Sequence, residues 1–541
     1  MSFFTNPNNP YPRSRKSVFA KYGMVGTSQP LAAQAGLRIL QQGGNAVDAA
    51  IATAACLTVV EPTTNGIGSD AFAIISINGQ QYGINGSGPA PQSLKVADLQ
   101  AAGLTEMPKF GWTSIDVPGA PAAWTAMVER FGQLSLAEDL APAITYACDG
   151  YPVSQTIAYF WERAAQNYRQ AQKEATNPAI FDEWFKTFCP NGHAPRTGEV
   201  WQSAEQADTL TRIGQTQARD FYEGTLAKKI VAAAAQNGGY LTAEDLAAYQ
   251  PAWVTPLKLH YHGYDVLELP PNSQGVVALE ALGLLQGWHF TNRDSFDTVH
   301  HQIEAIKLAF ADFFKFAGDP RAMQLDPNQL LAADYLANRS ALIGESARPP
   351  EAGDPQSGGT VYLATADRDG NMVSMIQSNY MGFGSGVVVP GTGIALNNRG
   401  NNFSFNPASP NVLEGGKRPI NTIIPGFLTK NGTPIGPFGV MGGFMQPQGH
   451  LQVLMNTIDF GLDPQTALDA PRWQWMHDQT VQVEREVPAV TVNRLVAAGH
   501  QIVVQPEPNV FGRGQVIWRN PETQTYVGGS ESRTDGAMAV W

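Results

Sequence analysis

The sequence predicts an α/β fold, built either as several domains or as one large layered unit. Three observations point there. A block of helical periodicity opens at Ser28, two strand-like runs joined by Asn78-Gly79 follow it, and the chain turns from helix-rich to strand-rich about two-thirds along. At 541 residues there is chain enough for a large core, and the 43% apolar content supports one. Charged residues make up only 15%, below the usual quarter.

Taken in order, residues 1–20 read as a polar, Pro-rich arm. SQPLAAQAGLRILQQGG carries apolar residues at helical spacing and stops at Gly43-Gly44. An Ala-rich second helix starts near an Asn45 cap and runs through AIATAACLTVV. FAIISI and QQYGING read as strands, with Asn78-Gly79 as the hairpin turn between them. From Ser114 to about Pro350 the pattern is mainly helical, interrupted from Leu257 to Leu269 by one strand-like stretch. After Thr360 come TVYLATAD, NMVSMIQSNY, GIALNN, TIIPGFLTKNGTPIGPFGV and TVQVE, short β-rich runs between Gly and Asn turns. QPQGHLQVLMNTIDFG interrupts them as a helix, and the tail from Gln501 returns to strands.

A formal net charge of −12 argues against nucleic acid, whose phosphates need a basic face, and against an anionic membrane surface. No apolar run is long enough to span a bilayer, and no secretory h-region follows the N-terminal charges, so a cytoplasmic protein is expected. Cys56, Cys148 and Cys189 are too scattered for a disulfide framework or a zinc site. The nine histidines show no ligand spacing, with His300-His301 read as a helix-start pair. No metal and no cofactor are expected.

The chemistry centres on QSGGTVYLATADRDGN, residues 356–371. Pro349-Pro350, Gly353-Asp354-Pro355 and Gly358-Gly359 suit a linker between domains. A self-cleavage site is the other reading. If the Gly359–Thr360 bond breaks, the freed α-amine of Thr360, with an ordinary pKa near ~7.7–8.0, becomes the base for its own Oγ. Glycine ahead of the threonine accepts the distortion that such a scission requires. An acyl-transfer site also needs oxyanion donors, and Gly439-Val440-Met441-Gly442-Gly443-Phe444 offers backbone N–H groups ahead of a helix.

From about Tyr22 to the C-terminus the chain resembles the γ-glutamyltransferase (γ-glutamyltranspeptidase, glutathione hydrolase) family. The resemblance is carried by GMVGTSQPLAAQAGLRILQQGGNAVDAAIATAACLTVVEP, NGIGSDAFAI, VPGAPAAWTAMVERFG, EAIKLAFADFFKFAGDP, TVYLATADRDGNMVS, KRPINTIIP and GVMGGFMQ. It implies an N-terminal-nucleophile hydrolase with an αββα sandwich, two stacked mainly antiparallel sheets between helical layers. It also implies a precursor that cuts itself into subunits 1–359 and 360–541, which intertwine as one domain. The family's nucleophile falls on Thr360, its supporting hydroxyl on Ser378, and its oxyanion glycines on Gly442 and Gly443. The expected substrate is a small-molecule amide, attacked through an acyl-threonine intermediate.

Departures from the family pattern lie around the acyl group. Val361 replaces a second threonine. Ser87 stands where an arginine pairs with the α-carboxylate, and Asn402 where an acidic residue binds the α-ammonium. Asn421-Thr422 replace a serine pair, Tyr380 replaces an asparagine, and Arg399 appears where glutamine is frequent. A site without charged partners for a zwitterion reads that group weakly. These changes direct the expectation toward an acylase-like branch, with Arg399 as a candidate for a carboxylate in another position. Glutathione-like γ-glutamyl amides, cephalosporin or glutaryl-type amides, and an uncleaved binding protein of the same fold are the alternatives.

Overall fold

The computed structural model describes residues 15–349 and 361–541. Two seven-stranded sheets face each other, and every pairing within them is antiparallel. The first sheet runs in the order Ala537–Val540, Met24–Thr27, Val361–Ala366, Met372–Ser378, Asp70–Ile77, Gln80–Gly86, Ala252–Val254. The second runs Val18–Ala20, Tyr526–Ser530, Arg513–Arg519, Thr433–Met441, Gly426–Lys430, Tyr264–Glu268, Leu257–Tyr261.

The strands look uniformly apolar in sequence because both of their faces are covered. Along Val361–Ala366, Tyr362, Ala364 and Ala366 point into the layer between the sheets, while Val361 and Leu363 join the core under the outer helices. Phe72 and Ile74 alternate with Ala73 and Ile75 in the same way. A one-residue slip would exchange these two sets, so the register is strongly specified. Helices Pro30–Gln41 and Ala46–Val60 lie over the first sheet, and Gly275–Leu285 and Met445–Ile458 over the second. The result is the expected αββα sandwich.

Local chemistry explains the element ends. Asn45 caps the helix Ala46–Val60 by accepting from Val47 N–H, and Asp48 accepts from Asn45 N–H. Asn78 at φ 51° and Gly79 at φ 81° form the hairpin turn. In the D-R-D-G turn, Asp367 accepts from the N–H groups of Asp369, Asn371 and Ala46, tying this hairpin to the start of the overlying helix.

Three local readings change. The N-terminal arm ends earlier than residue 20, because Val18–Ala20 pairs with Tyr526–Gly528. The stretch 257–269 is a hairpin of two strands, turning at His262 (φ 44°) and Gly263 (φ 87°); histidine in a left-handed position hides the turn. His300 and His301 lie in the second turn of Phe296–Phe316, which Ser295 caps, and both are buried. His300 Nδ1 sits 2.8 Å from His500 Nε2.

Candidate active site

Several chain segments end at one rim of the sandwich. Met372–Ser378 pairs so that Gln377 faces Val361 and Ser378 faces Asp70. In the opposing sheet, Thr433–Met441 ends where Gly442 to Phe444 carry the chain into Met445–Ile458. Gly359 and Thr360, the expected scissile pair, lie outside the described residues, immediately ahead of the buried Val361.

Ser378 is buried, and its Oγ accepts from Tyr380 N–H at 2.8 Å. This bond closes a tight reversal in which Tyr380 adopts φ 81°. A buried non-glycine residue in that region is held there by its surroundings. Gly442 and Gly443 also have positive φ, 143° and 61°. A Cβ on Gly442 would lie 3.3 Å from Gly512 Cα and 3.4 Å from Met445 Cβ. The loop is tethered by Gln274, whose Nε2 donates to the Gly443 carbonyl at 2.9 Å and to the Thr422 carbonyl at 2.7 Å. Gly442 and Gly443 thus sit at a strand end and ahead of a helix, the arrangement that suits amide donors for an oxyanion.

The predicted acyl-site residues form a buried network. Arg399 is fully buried; its Nε donates to Asp70 Oδ2 at 3.0 Å and its Nη1 to Thr422 Oγ1 at 3.1 Å. Its guanidinium lies 4.6 Å from the Tyr380 ring centroid. Asp70 also accepts from Asn421 Nδ2 at 2.9 Å and from Gly88 N–H at 3.3 Å. Burial pushes the Asp70 carboxyl up, whereas the guanidinium and these donors pull it back. Burial is the larger of these opposing effects, so the Asp70 carboxyl stands above its ordinary value even with three donors on it. Beside them, burial and the Asp70 charge hold the proton on Asp116 well above the ordinary carboxyl range. Neither Asp116 oxygen has a hydrogen-bond partner among the described residues.

Arg399 therefore meets an internal carboxylate, and Nη2 is its nitrogen without a partner among the described residues. The Ser87 hydroxyl has neutral partners, donating from Oγ to Asn85 Oδ1 at 2.7 Å and accepting from Asn272 Nδ2 at 3.2 Å, while the Ser87 carbonyl accepts from Arg418 Nε at 3.0 Å. Asn272 O in turn accepts from Asn421 N–H. Asn402 stands apart from this network, with its Nδ2 unpartnered among the described residues. Asp70, Asp116, Asn272 and Gln274 were not anticipated. The signal for Asp70 was present: a lone acid, in NGIGSD, at the head of an apolar strand.

Two cavities flank this rim. One of about 630 Å³ is lined by Tyr380, Asn402, Asn411 and Phe444. The other, about 370 Å³, is lined by Gly442, Met381, Phe110 and Phe160. Lys109 borders both. Elsewhere, His300, Glu304 and His500 bring ligand atoms within 4.8 Å of one another, a grouping the sequence reading missed. Lys307 Nζ already supplies a cation there, 2.7 Å from Glu304 Oε1.

Residues 32–541 match the model of the family described as Gamma-glutamyltranspeptidase. Over 534 residues the chain is 36% identical to a glutathione hydrolase-like YwrD proenzyme from Bacillus subtilis (strain 168), covering 96% of this chain and 99% of that protein. It is 31% identical over 539 residues to an acylase ACY 1 proenzyme from Pseudomonas sp. (strain V22), covering 96% and 94%. Among solved structures, a cephalosporin acylase from Bacillus halodurans superposes with a TM-score of 0.95 at 56% identity, covering 99% of each chain.

Proposed function

The chain belongs to the gamma-glutamyltranspeptidase family, and on that premise we propose that it is an autoprocessed amidohydrolase whose nucleophile is Thr360. Cleavage of Gly359–Thr360 yields subunits 1–359 and 360–541. Thr360 Oγ then attacks an amide carbonyl while its α-amine takes the proton. The amide N–H groups of Gly442 and Gly443 hold the oxyanion, and the Ser378 hydroxyl supports the nucleophile. Water resolves the acyl-threonine. The observation that carries this reading is the convergence at one rim of Val361, Ser378 and the Gly442-Gly443 turn.

Glutathione-like γ-glutamyl amides are the family's acyl donors, and the buried network favours a second class. Asp70 already matches Arg399, the Ser87 hydroxyl is held by neutral amides, and Asn402 carries no charge. Nothing in this set meets an α-ammonium, so glutaryl-type and other N-acyl amides fit the acyl side better. The protein named for cephalosporin acylase activity, at 56% identity, lends support.

Denaturing electrophoresis tests the nucleophile. Wild type is expected as two fragments split at Gly359–Thr360, and Thr360→Ala as one 58.2 kDa band. A single band from both would remove the mechanism. Anilides of glutaryl, γ-glutamyl and simple acyl groups then rank the donors. The glutaryl donor is expected to exceed the γ-glutamyl donor about tenfold in kcat/KM, in line with the loss of charged contacts.

A further inference from the structure

A cluster of buried charges backs the Gly442-Gly443 turn. Arg472 Nη2 meets Glu531 Oε2 at 2.8 Å, Arg533 Nη1 donates to Glu531 Oε1 at 2.7 Å, and Arg533 Nε donates to Glu484 Oε1 at 2.8 Å. All four side chains are buried. Burial by itself would raise the Glu531 carboxyl, but Arg472 and Arg533 pull it down to about 2, so Glu531 is an anion at neutral pH.

Arg472 reaches beyond this cluster. Its Nη1 donates to the Phe511 and Gly512 carbonyls, each at 3.0 Å, and its Nη2 to the Leu468 carbonyl at 3.1 Å. Gly512, at φ 78°, lies against the strand end that leads into the turn. A Cβ on it would come within 2.6 Å of Val440 Cγ1 and 2.9 Å of the Met441 carbonyl oxygen. Gly512 Cα in turn stands 3.3 Å from where a Cβ on Gly442 would lie. One guanidinium thus fixes the backbone on which Gly442 rests. A buried ion cluster is a poor source of net stability, because desolvation offsets its Coulomb gain, and what this one fixes is geometry.

We propose that Arg472 is a positioning residue for the reaction: through the Phe511 and Gly512 carbonyls it holds Gly512 against Gly442, and so aims the Gly442 and Gly443 amides at the oxyanion. The inference rests on the amidohydrolase reading above. Arg472 acts through the backbone and not on the reacting atoms. Oxyanion donors work where charge develops, so misaiming them lowers kcat and leaves substrate binding alone. Lysine keeps a cation opposite Glu531 but replaces the planar fork by a point charge, and it does not hold both carbonyls in the same geometry.

The test compares Arg472→Lys with Glu484→Gln, which disturbs the same cluster at Arg533 without removing a donor to Phe511 or Gly512. Rates on an acyl anilide are taken per processed chain, with the processed fraction read by denaturing electrophoresis. In Arg472→Lys, kcat is expected to fall about tenfold with KM within about twofold. Inhibition by a boronic acid, whose tetrahedral adduct on Thr360 Oγ places an oxygen in the oxyanion site, is expected to weaken by the same factor. Glu484→Gln is expected to lose stability and to keep both values within about twofold. Gly512→Ala leaves the ion cluster whole and acts on the contact itself, so it carries the same expectation as Arg472→Lys if that variant does not fold. An unchanged kcat in the folded variant, an equal fall in Glu484→Gln, or boronate inhibition that does not follow kcat overturns the proposal. If wild type turns over no amide, the amidohydrolase reading fails by itself. The hold on the turn is then judged by hydrogen–deuterium exchange of the peptide spanning residues 441–446. Faster exchange in Arg472→Lys and not in Glu484→Gln supports it, and equal exchange overturns it.

Discussion

At the scale of single residues, Asp70 decides how Arg399 is used. The pair is fully buried, so its value lies in mutual satisfaction; removing one partner strands the other charge in a low-dielectric site. Asp70→Asn is therefore expected to lower stability by about 3–5 kcal/mol in denaturant unfolding. Adding Arg399→Gln should restore most of the loss. Unchanged stability of Asp70→Asn would mean that the pair contributes nothing. Arg399, Asn421 and Thr422 were legible in the sequence as substitutions in a family pattern. Their partner was not, because Asp70 lies 329 positions from Arg399 and pairing across that distance leaves no periodic trace.

At the scale of elements, the turn between Thr433–Met441 and Met445–Ile458 makes a specific demand on its backbone. Gly442 stands at φ 143° with Gly512 directly against it. Gly442→Ala forces the peptide plane to rotate, which misaims the amide donors. A fall in kcat of about 10²–10³ is expected with the fold retained by circular dichroism. A kcat within twofold of wild type would remove Gly442 from the oxyanion role. Elements with strong local signals, the Asn45 cap and the Asn78-Gly79 hairpin, were legible in sequence. The His262-Gly263 hairpin was not, since its strands are five residues each and its turn uses histidine where asparagine is usual.

At the scale of the molecule, the chain before residue 350 and the chain after residue 360 share both sheets: Met24–Thr27 lies between Ala537–Val540 and Val361–Ala366, and Gly426–Lys430 pairs with Tyr264–Glu268. Cutting the junction would therefore separate no core. Burial on this scale also stores protons. Asp139, on the helix Leu136–Asp149, is pushed up to about 9 by burial and by the nearby Asp48 and Glu138 charges. Its folded pKa is raised, so the unfolded chain releases the proton first. The stability it contributes is full below the unfolded value near ~3.9 and is lost as pH rises toward 9. Between pH ~7 and ~8.5, where unfolded histidines are neutral, Asp139→Asn is expected to flatten the decline by about 1.4 kcal/mol per pH unit. Parallel pH profiles for wild type and variant would contradict this.

The sequence by itself determined the first two helices, the Asn78-Gly79 hairpin, the strand-rich last third, the family, and the stretch where the nucleophile is expected. Those are local or ordered patterns, readable along the chain. Only the tertiary structure decided that Arg399 faces Asp70 and that Gln274 ties Gly443 to Thr422. The physical reason is the same in each case. Charge matching and hydrogen-bond satisfaction are settled by which side chains a buried interior brings together, and residues hundreds of positions apart meet only once the two sheets have closed.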